Sequence, residues 1–169
     1  MKKYWLEPNW ETNLTIHEIP IKLLLNKNIK ALLLDVDGTL LPRKEIVLHP
    51  SVENWLLEAK KHLVLHLISN NPSKKRIHSI AKKLRISCTY RASKPRKAKT
   101  IEAIKQLKYQ HSSIAIVGDR IFTDILAGNR LGLYTILVRP IKADGTSYRK
   151  NHFQKLEKYI SRLLGASKE

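Results

Sequence analysis

The 169-residue chain has a single cysteine, Cys88, so no disulfide closes within it, and its seven histidines stand without any CxxC companion. A thiolate-based zinc site is thereby excluded, and the expectation is a metal held by oxygen. Apolar runs are short. None approaches the roughly 20 residues that span a bilayer, and the opening MKKYWLEPNW lacks the continuous apolar core of a signal peptide. The expectation is a cytoplasmic protein, at most peripheral on the inner face of a membrane. Acids are scarce as well: 14 Asp and Glu face 32 Lys and Arg, a formal net charge of +18. Such a field attracts polyanions or an anionic membrane surface. The deficit is sharpest from Lys74 to Lys99, a stretch with no acid at all.

What is present suits one compact domain, with 43% of residues hydrophobic and Pro and Gly falling singly as punctuation. IKALLLD (29–35), HLVLHLIS (62–69) and SSIAIVGD (112–119) are continuous apolar runs that each end on a polar residue, and LYTILV (133–138) and ISCTYRA (86–92) add two more. Runs of this kind read as strands buried on both faces. Between them lie helical patterns: VENWLLEAKK behind Ser51, KKRIHSIAKKL behind Ser73, KTIEAIKQLK from Lys97, and DILAGNRLG stopped by Gly132. Strand and helix in alternation predict an α/β fold, a doubly wound parallel sheet of Rossmann-like form with helices on both faces and no large cap. Residues 29–169 form that domain, and 1–28 read as a lead-in.

Parallel strands end on one edge of a sheet, and the ligand crevice of such folds lies beyond that edge. Asp35, Ser69 and Asp119 therefore converge. Asp35 and Asp37, in DVDGTL, are two apart on extended backbone and share a face, while Gly38 permits a sharp exit. Carboxylates this close repel unless a cation neutralises them. Magnesium suits, taking hard oxygen ligands and keeping waters that a phosphate can replace. Asp119 and Asp124, in GDRIFTD, add negative oxygen from another strand end. A DxD alone is common in surface loops; a strand-terminal DxDGT with a distant strand-terminal GDxxxTD is specific.

DVDGTL, ISNN, the Lys-Pro of ASKP and GDRIFTD together resemble the four ordered motifs of the haloacid dehalogenase superfamily, over residues 35–124. The resemblance implies that Asp35 attacks phosphorus to form an aspartyl-phosphate, and that Asp37 protonates the leaving oxygen and then activates water. It also implies phosphate binding by Ser69 and Lys94, with Asn70 touching substrate. Asp35, Asp119 and the backbone carbonyl of Asp37 would hold Mg2+, with Asp124 either ligating it or orienting a bound water or Lys94. In so basic a stretch Lys97 or Lys99 could reach the same site as Lys94. About 30 residues separate Asp37 from Ser69 and about 25 separate Ser69 from Lys94, too few for a cap domain that encloses a small substrate.

An open site suits a large or surface-bound substrate. The arrangement is similar to the compact, capless family of YqeG-type bacterial phosphatases and of mitochondrial and plastid phosphatidylglycerophosphate phosphatases, in its lead-in as well as its fourth motif. Many members carry Asn where this chain has Gly38, a small difference between turn-tolerant residues. The resemblance implies conversion of phosphatidylglycerophosphate to phosphatidylglycerol. An anionic phospholipid surface would then be the partner of the basic field, with Trp5, Trp10, Ile16, Ile19, Ile21 and Leu23 to Leu25 as a shallow interfacial anchor unless these pack on the sheet. The same chemistry directed at nucleic-acid ends, a phosphoprotein or a sugar phosphate is the rival enzyme reading. A basic RNA-associated protein on a degenerate fold is the non-enzymatic one, and it predicts loss of a core acid.

Overall fold

The computed structural model describes residues 5–148 and 152–164. Six parallel strands form one sheet: β1 (Trp10–Glu11), β2 (Ala31–Leu34), β3 (Val64–Ile68), β4 (Ser87–Thr89), β5 (Ile114–Gly118) and β6 (Tyr134–Leu137), in the order β1-β6-β5-β2-β3-β4. Helices α1 (Ile21–Asn26), α2 (Pro50–Ala59), α3 (Lys74–Leu84), α4 (Ala98–Leu107), α5 (Leu126–Leu131) and α6 (His152–Leu163) complete the domain. The doubly wound α/β architecture without a large cap is the one expected.

Strand alternation divides the core. Leu32 and Leu34 of β2 join Val52, Trp55 and Leu56 of α2 and Ile77, Ile80 and Leu84 of α3 on one face. Ala31 and Leu33 meet Ala103, Ile104 and Leu107 of α4 on the other. Because β2 is buried on both faces, its sequence is a continuous apolar run rather than an alternating one.

Local signals held in part. Ser73 caps α3, its side chain accepting from the Arg76 amide, and α5 stops at Gly132 in a left-handed conformation. Ser51 is not a cap. α2 begins earlier, because Pro50 occupies the first turn with its φ already fixed and no N–H to satisfy, and the His49 ring accepts from the Ser51 amide. The segment GDRIFTD opens with a π turn (Ile121–Ile125) before α5, and the strand expected over 86–92 shortens to the edge strand β4.

The lead-in is built into the sheet. β1 pairs with β6, placing Trp10 opposite Ile136, and Ile16, Ile19 and Leu24 are core. The Trp55 indole donates to the Ile19 carbonyl at 2.7 Å. Most of the expected interfacial anchor is therefore committed to packing, which corrects that expectation: these residues bury against the sheet, leaving Trp5, Leu23 and Leu25 exposed. Among the described residues no helix is long and apolar enough to cross a membrane.

Of the histidines, His62 and His66 have the i, i+4 spacing of a metal pair, yet they diverge. His62 lies against Glu58 on the surface. His66 is buried in β3 between the Ser87 and Thr89 hydroxyls, and burial pushes its ring down to about 4.

Candidate active site

The sheet sets the frame before any side chain is considered. The Asp35 amide donates to the Val117 carbonyl and the Ser69 amide to the Thr89 carbonyl, each at 2.9 Å, so pairing continues one residue past β2 and β3 and fixes both positions at the carboxyl edge. Asp119 follows β5 directly. Asp124 arrives from the π turn, where its carboxylate accepts from the Arg120 amide at 3.2 Å. Asp35, Asp119 and Asp124 each offer an oxygen within 4.8 Å of the others, and all three are buried.

Two glycines make this convergence sterically feasible. A Cβ on Gly38, whose φ is +90°, would lie 2.5 Å from Asp119 Oδ2, and one on Gly118 would lie 2.3 Å from Asp124 Cγ. The Gly38 position is thus more demanding than its sequence context suggests, since in this chain an Asn there would displace Asp119.

Lys94 reaches the centre from the far side. After β4 the chain turns through Arg91 and Ser93, both with positive φ, and Asn70 clamps the result by accepting from the Lys94 amide at 2.7 Å and donating to its carbonyl at 2.9 Å. Lys94 Nζ then donates to Asp35 Oδ1 at 2.7 Å, Asp124 Oδ1 at 2.6 Å and the Ile68 carbonyl at 2.9 Å. Lys99 donates instead to the Tyr90 carbonyl, and Lys97 lines a different pocket, beside Trp5. Asn70 lines the cleft, but its amide is committed to holding Lys94.

Asp37 stands apart from the triad. Its carboxylate accepts from Ser69 Oγ at 3.3 Å and Asn71 Nδ2 at 3.1 Å and pairs with Arg76 at 2.8 Å. Arg76 also donates to the carbonyls of Glu45 and Pro42 at 2.9 and 3.3 Å, tying the loop after the first motif to Asp37. Sequence reasoning placed Arg76 in the surface charge of the basic run. Its position three residues behind the cap of α3, on a helix whose start abuts the strand edge, was the available signal. Arg43, Asn71, Arg120 and Thr123 also line the cleft of about 260 Å³ around Asp35, Asp37 and Lys94.

The electrostatics follow from burial. Desolvation pushes the Asp35 carboxyl up to about 7, with Lys94 opposing and Asp124 and Asp37 adding repulsion. Asp119 is raised well above the carboxylate range, first by burial and then by Asp35 and Asp124. Burial disfavours the Lys94 ammonium, but Asp124 and Asp35 outweigh it and raise its pKa. One lysine thus faces three clustered carboxylates, and Asp119 Oδ1 is buried with no hydrogen-bond donor. A divalent cation fits this oxygen-only set, with Asp35, Asp119 and Asp124 as its holders.

Residues 5–142 match the family model described as "Mitochondrial PGP phosphatase". The Bacillus subtilis (strain 168) protein named "Probable phosphatase YqeG" is 31% identical over 152 residues, covering 89% of this chain and 87% of that one. The mitochondrial phosphatidylglycerophosphatase GEP4 of Saccharomyces cerevisiae is 27% identical over 164 residues, covering 89% and 85%. Among solved structures, the cobalt-bound deoxy-D-mannose-octulosonate 8-phosphate phosphatase YrbI of Haemophilus influenzae shares the fold with a TM-score of 0.54 at 16% identity, covering 82% of this chain and 91% of that one. Four strand-end motifs meeting in one cleft, together with a family match over most of the sequence, lead to one assignment: the chain belongs to the PGP phosphatase family and is a phosphoric monoester hydrolase.

Proposed function

We propose that the chain removes the terminal phosphate of phosphatidylglycerophosphate, with Mg2+ as its cation and Asp35 as its nucleophile. The observation that carries the mechanism is Asp35 itself, fixed at the strand end with one oxygen held by Lys94 and the cleft open before it. The substrate follows from the family and the named activity of its yeast relative. The capless cleft agrees with a headgroup presented on a surface.

Asp35 attacks the phosphorus, forming a carboxyl–phosphate bond as the bond to the glycerol oxygen breaks. Asp37 gives the departing oxygen its proton. In the second step Asp37 takes a proton from water, which attacks the same phosphorus and releases inorganic phosphate and the Asp35 carboxylate. Lys94 and Ser69 hold phosphate oxygens, and Asn70 keeps Lys94 in place. Asp35, Asp119 and Asp124, with the Asp37 carbonyl, would hold magnesium, which would supply the positive charge that lets carboxylates and a phosphate dianion share one cleft.

A panel of phosphatidylglycerophosphate, sugar phosphates, a phosphopeptide and 5′-phosphorylated oligonucleotides, assayed with magnesium for kcat/KM, tests the substrate. Phosphatidylglycerophosphate should lead, and Asp35→Asn should abolish turnover on it while Asp37→Asn lowers the rate roughly 10²–10⁴-fold. A sugar phosphate in first place would overturn the substrate, and near-normal turnover by Asp35→Asn would overturn the mechanism.

A further inference from the structure

Helix α6 is inside out. Surface helices normally bury an apolar stripe and expose their polar face. Here the buried side chains are Gln154, Glu157 and Ser161, while Phe153, Leu156, Tyr159 and Leu163 are 59%, 53%, 61% and 69% exposed. At 100° per residue these four, with Ile160, occupy an arc of about 120° on the outward side. Lys155 and Arg162 border that arc along one edge, their stems able to lie beside it while their charges face outward.

Among the described residues the helix is held mainly by polar contacts, and its apolar side stays largely exposed. Gln154 donates to the carbonyls of Asp119 and Val138 at 3.0 and 2.9 Å, and Glu157 accepts from the Ile121 amide at 3.0 Å and from Arg120 Nε at 2.9 Å. Each of these bonds except that to Val138 lands on the loop carrying the fourth motif. Arg120, which lines the catalytic cleft, also stacks on Phe153 at 4.1 Å from the ring centre. The apolar face therefore begins where the cleft wall ends.

We infer that this outward face of α6 is the surface by which the enzyme docks on an anionic membrane, seating its cleft beside substrate headgroups. The inference rests on the lipid substrate proposed above. Charge complementarity selects the occupant. A basic-edged apolar face on a chain of net charge +18 gains from an anionic lipid surface, whereas a second copy would bring like charge against like. It also replaces the amino-terminal anchor, most of which is core.

The test is Leu156→Asp with Leu163→Asp, both exposed and outside the catalytic machinery. Wild-type protein should co-sediment with phosphatidylglycerol-rich vesicles and not with pure phosphatidylcholine, and salt should weaken the binding. The double variant should bind roughly tenfold or more weakly and lose a similar factor on phosphatidylglycerophosphate in vesicles. Its rates on a soluble aryl phosphate and on a short-chain, monomeric phosphatidylglycerophosphate should match wild type. Unchanged vesicle binding or unchanged vesicle turnover by the variant would overturn the docking face. A wild-type dimer that the variant splits, with no vesicle binding, would also overturn it, assigning the face to a second copy. If wild-type protein ignores phosphatidylglycerophosphate in monomeric form too, the substrate reading fails while the sedimentation result still judges the face.

Discussion

Three buried carboxylates against one lysine make the metal-free protein a strained electrostatic object, and neutralising one of them should stabilise it. The Asp35 carboxyl is pushed up to about 7 from an ordinary value of 3.8. At 1.36 kcal/mol per pH unit between those values, it costs the metal-free fold on the order of 4 kcal/mol at pH 8. Asp119 is itself raised by burial and by repulsion from Asp35 and Asp124, and Asp119→Asn removes that charge and supplies an amide where Asp119 Oδ1 now has no donor. A relief of about 1–2 kcal/mol raises the melting temperature of a chain this size by roughly 3–6 °C. Magnesium at a hundred times its dissociation constant adds about 2.7 kcal/mol to wild type, roughly 5–10 °C, and the variant should keep less than half of that gain. The pH dependence has a definite sign. Asp35 is raised in the fold, so its cost is full above pH 7 and fades as pH falls toward 3.8. His66, pushed down to about 4, acts oppositely and removes stability below about 6.5. Between about pH 4 and 6.5 the two slopes cancel, so metal-free stability should be nearly flat there and fall as pH rises from about 6.5 to 7. Differential scanning calorimetry with chelator and with magnesium reads all of this. An Asp119→Asn protein that melts below wild type in chelator, or keeps the full magnesium gain, would refute the reasoning.

Two further outcomes follow from the site geometry. Arg76→Ala frees Asp37 and the Pro42 and Glu45 carbonyls together. It should lower kcat on a soluble aryl phosphate by at least roughly tenfold and speed limited proteolysis at residues 42–49, and an unchanged kcat would remove Arg76 from the site. Gly118→Ala should drive a methyl into Asp124, costing about 1–3 kcal/mol in urea unfolding together with weaker magnesium binding by calorimetric titration. Normal metal affinity would show that Asp124 does not hold the ion.

Much of this protein is decided locally. Continuous apolar runs ending on Asp35, Ser69 and Asp119 specify buried parallel strands, and because such strands end on one edge the convergence of those residues needed no coordinates. The motif spacing likewise specifies the absence of a cap. What the tertiary structure alone decided depends on contacts between segments distant in sequence. β1 is two residues long and carries no periodicity, so only its pairing with β6 reveals it. The motif pointed to Lys94 with Lys97 and Lys99 as alternatives, and only the turn at Arg91 and Ser93 and the Asn70 clamp aim Lys94 at Asp35. Arg76 was one positive charge among many until α3 docked it on Asp37. α6 inverts the usual rule because its polar side finds partners in the Asp119–Ile121 loop. Periodicity shows that a helix has two faces; which face is buried is settled by the surface it meets.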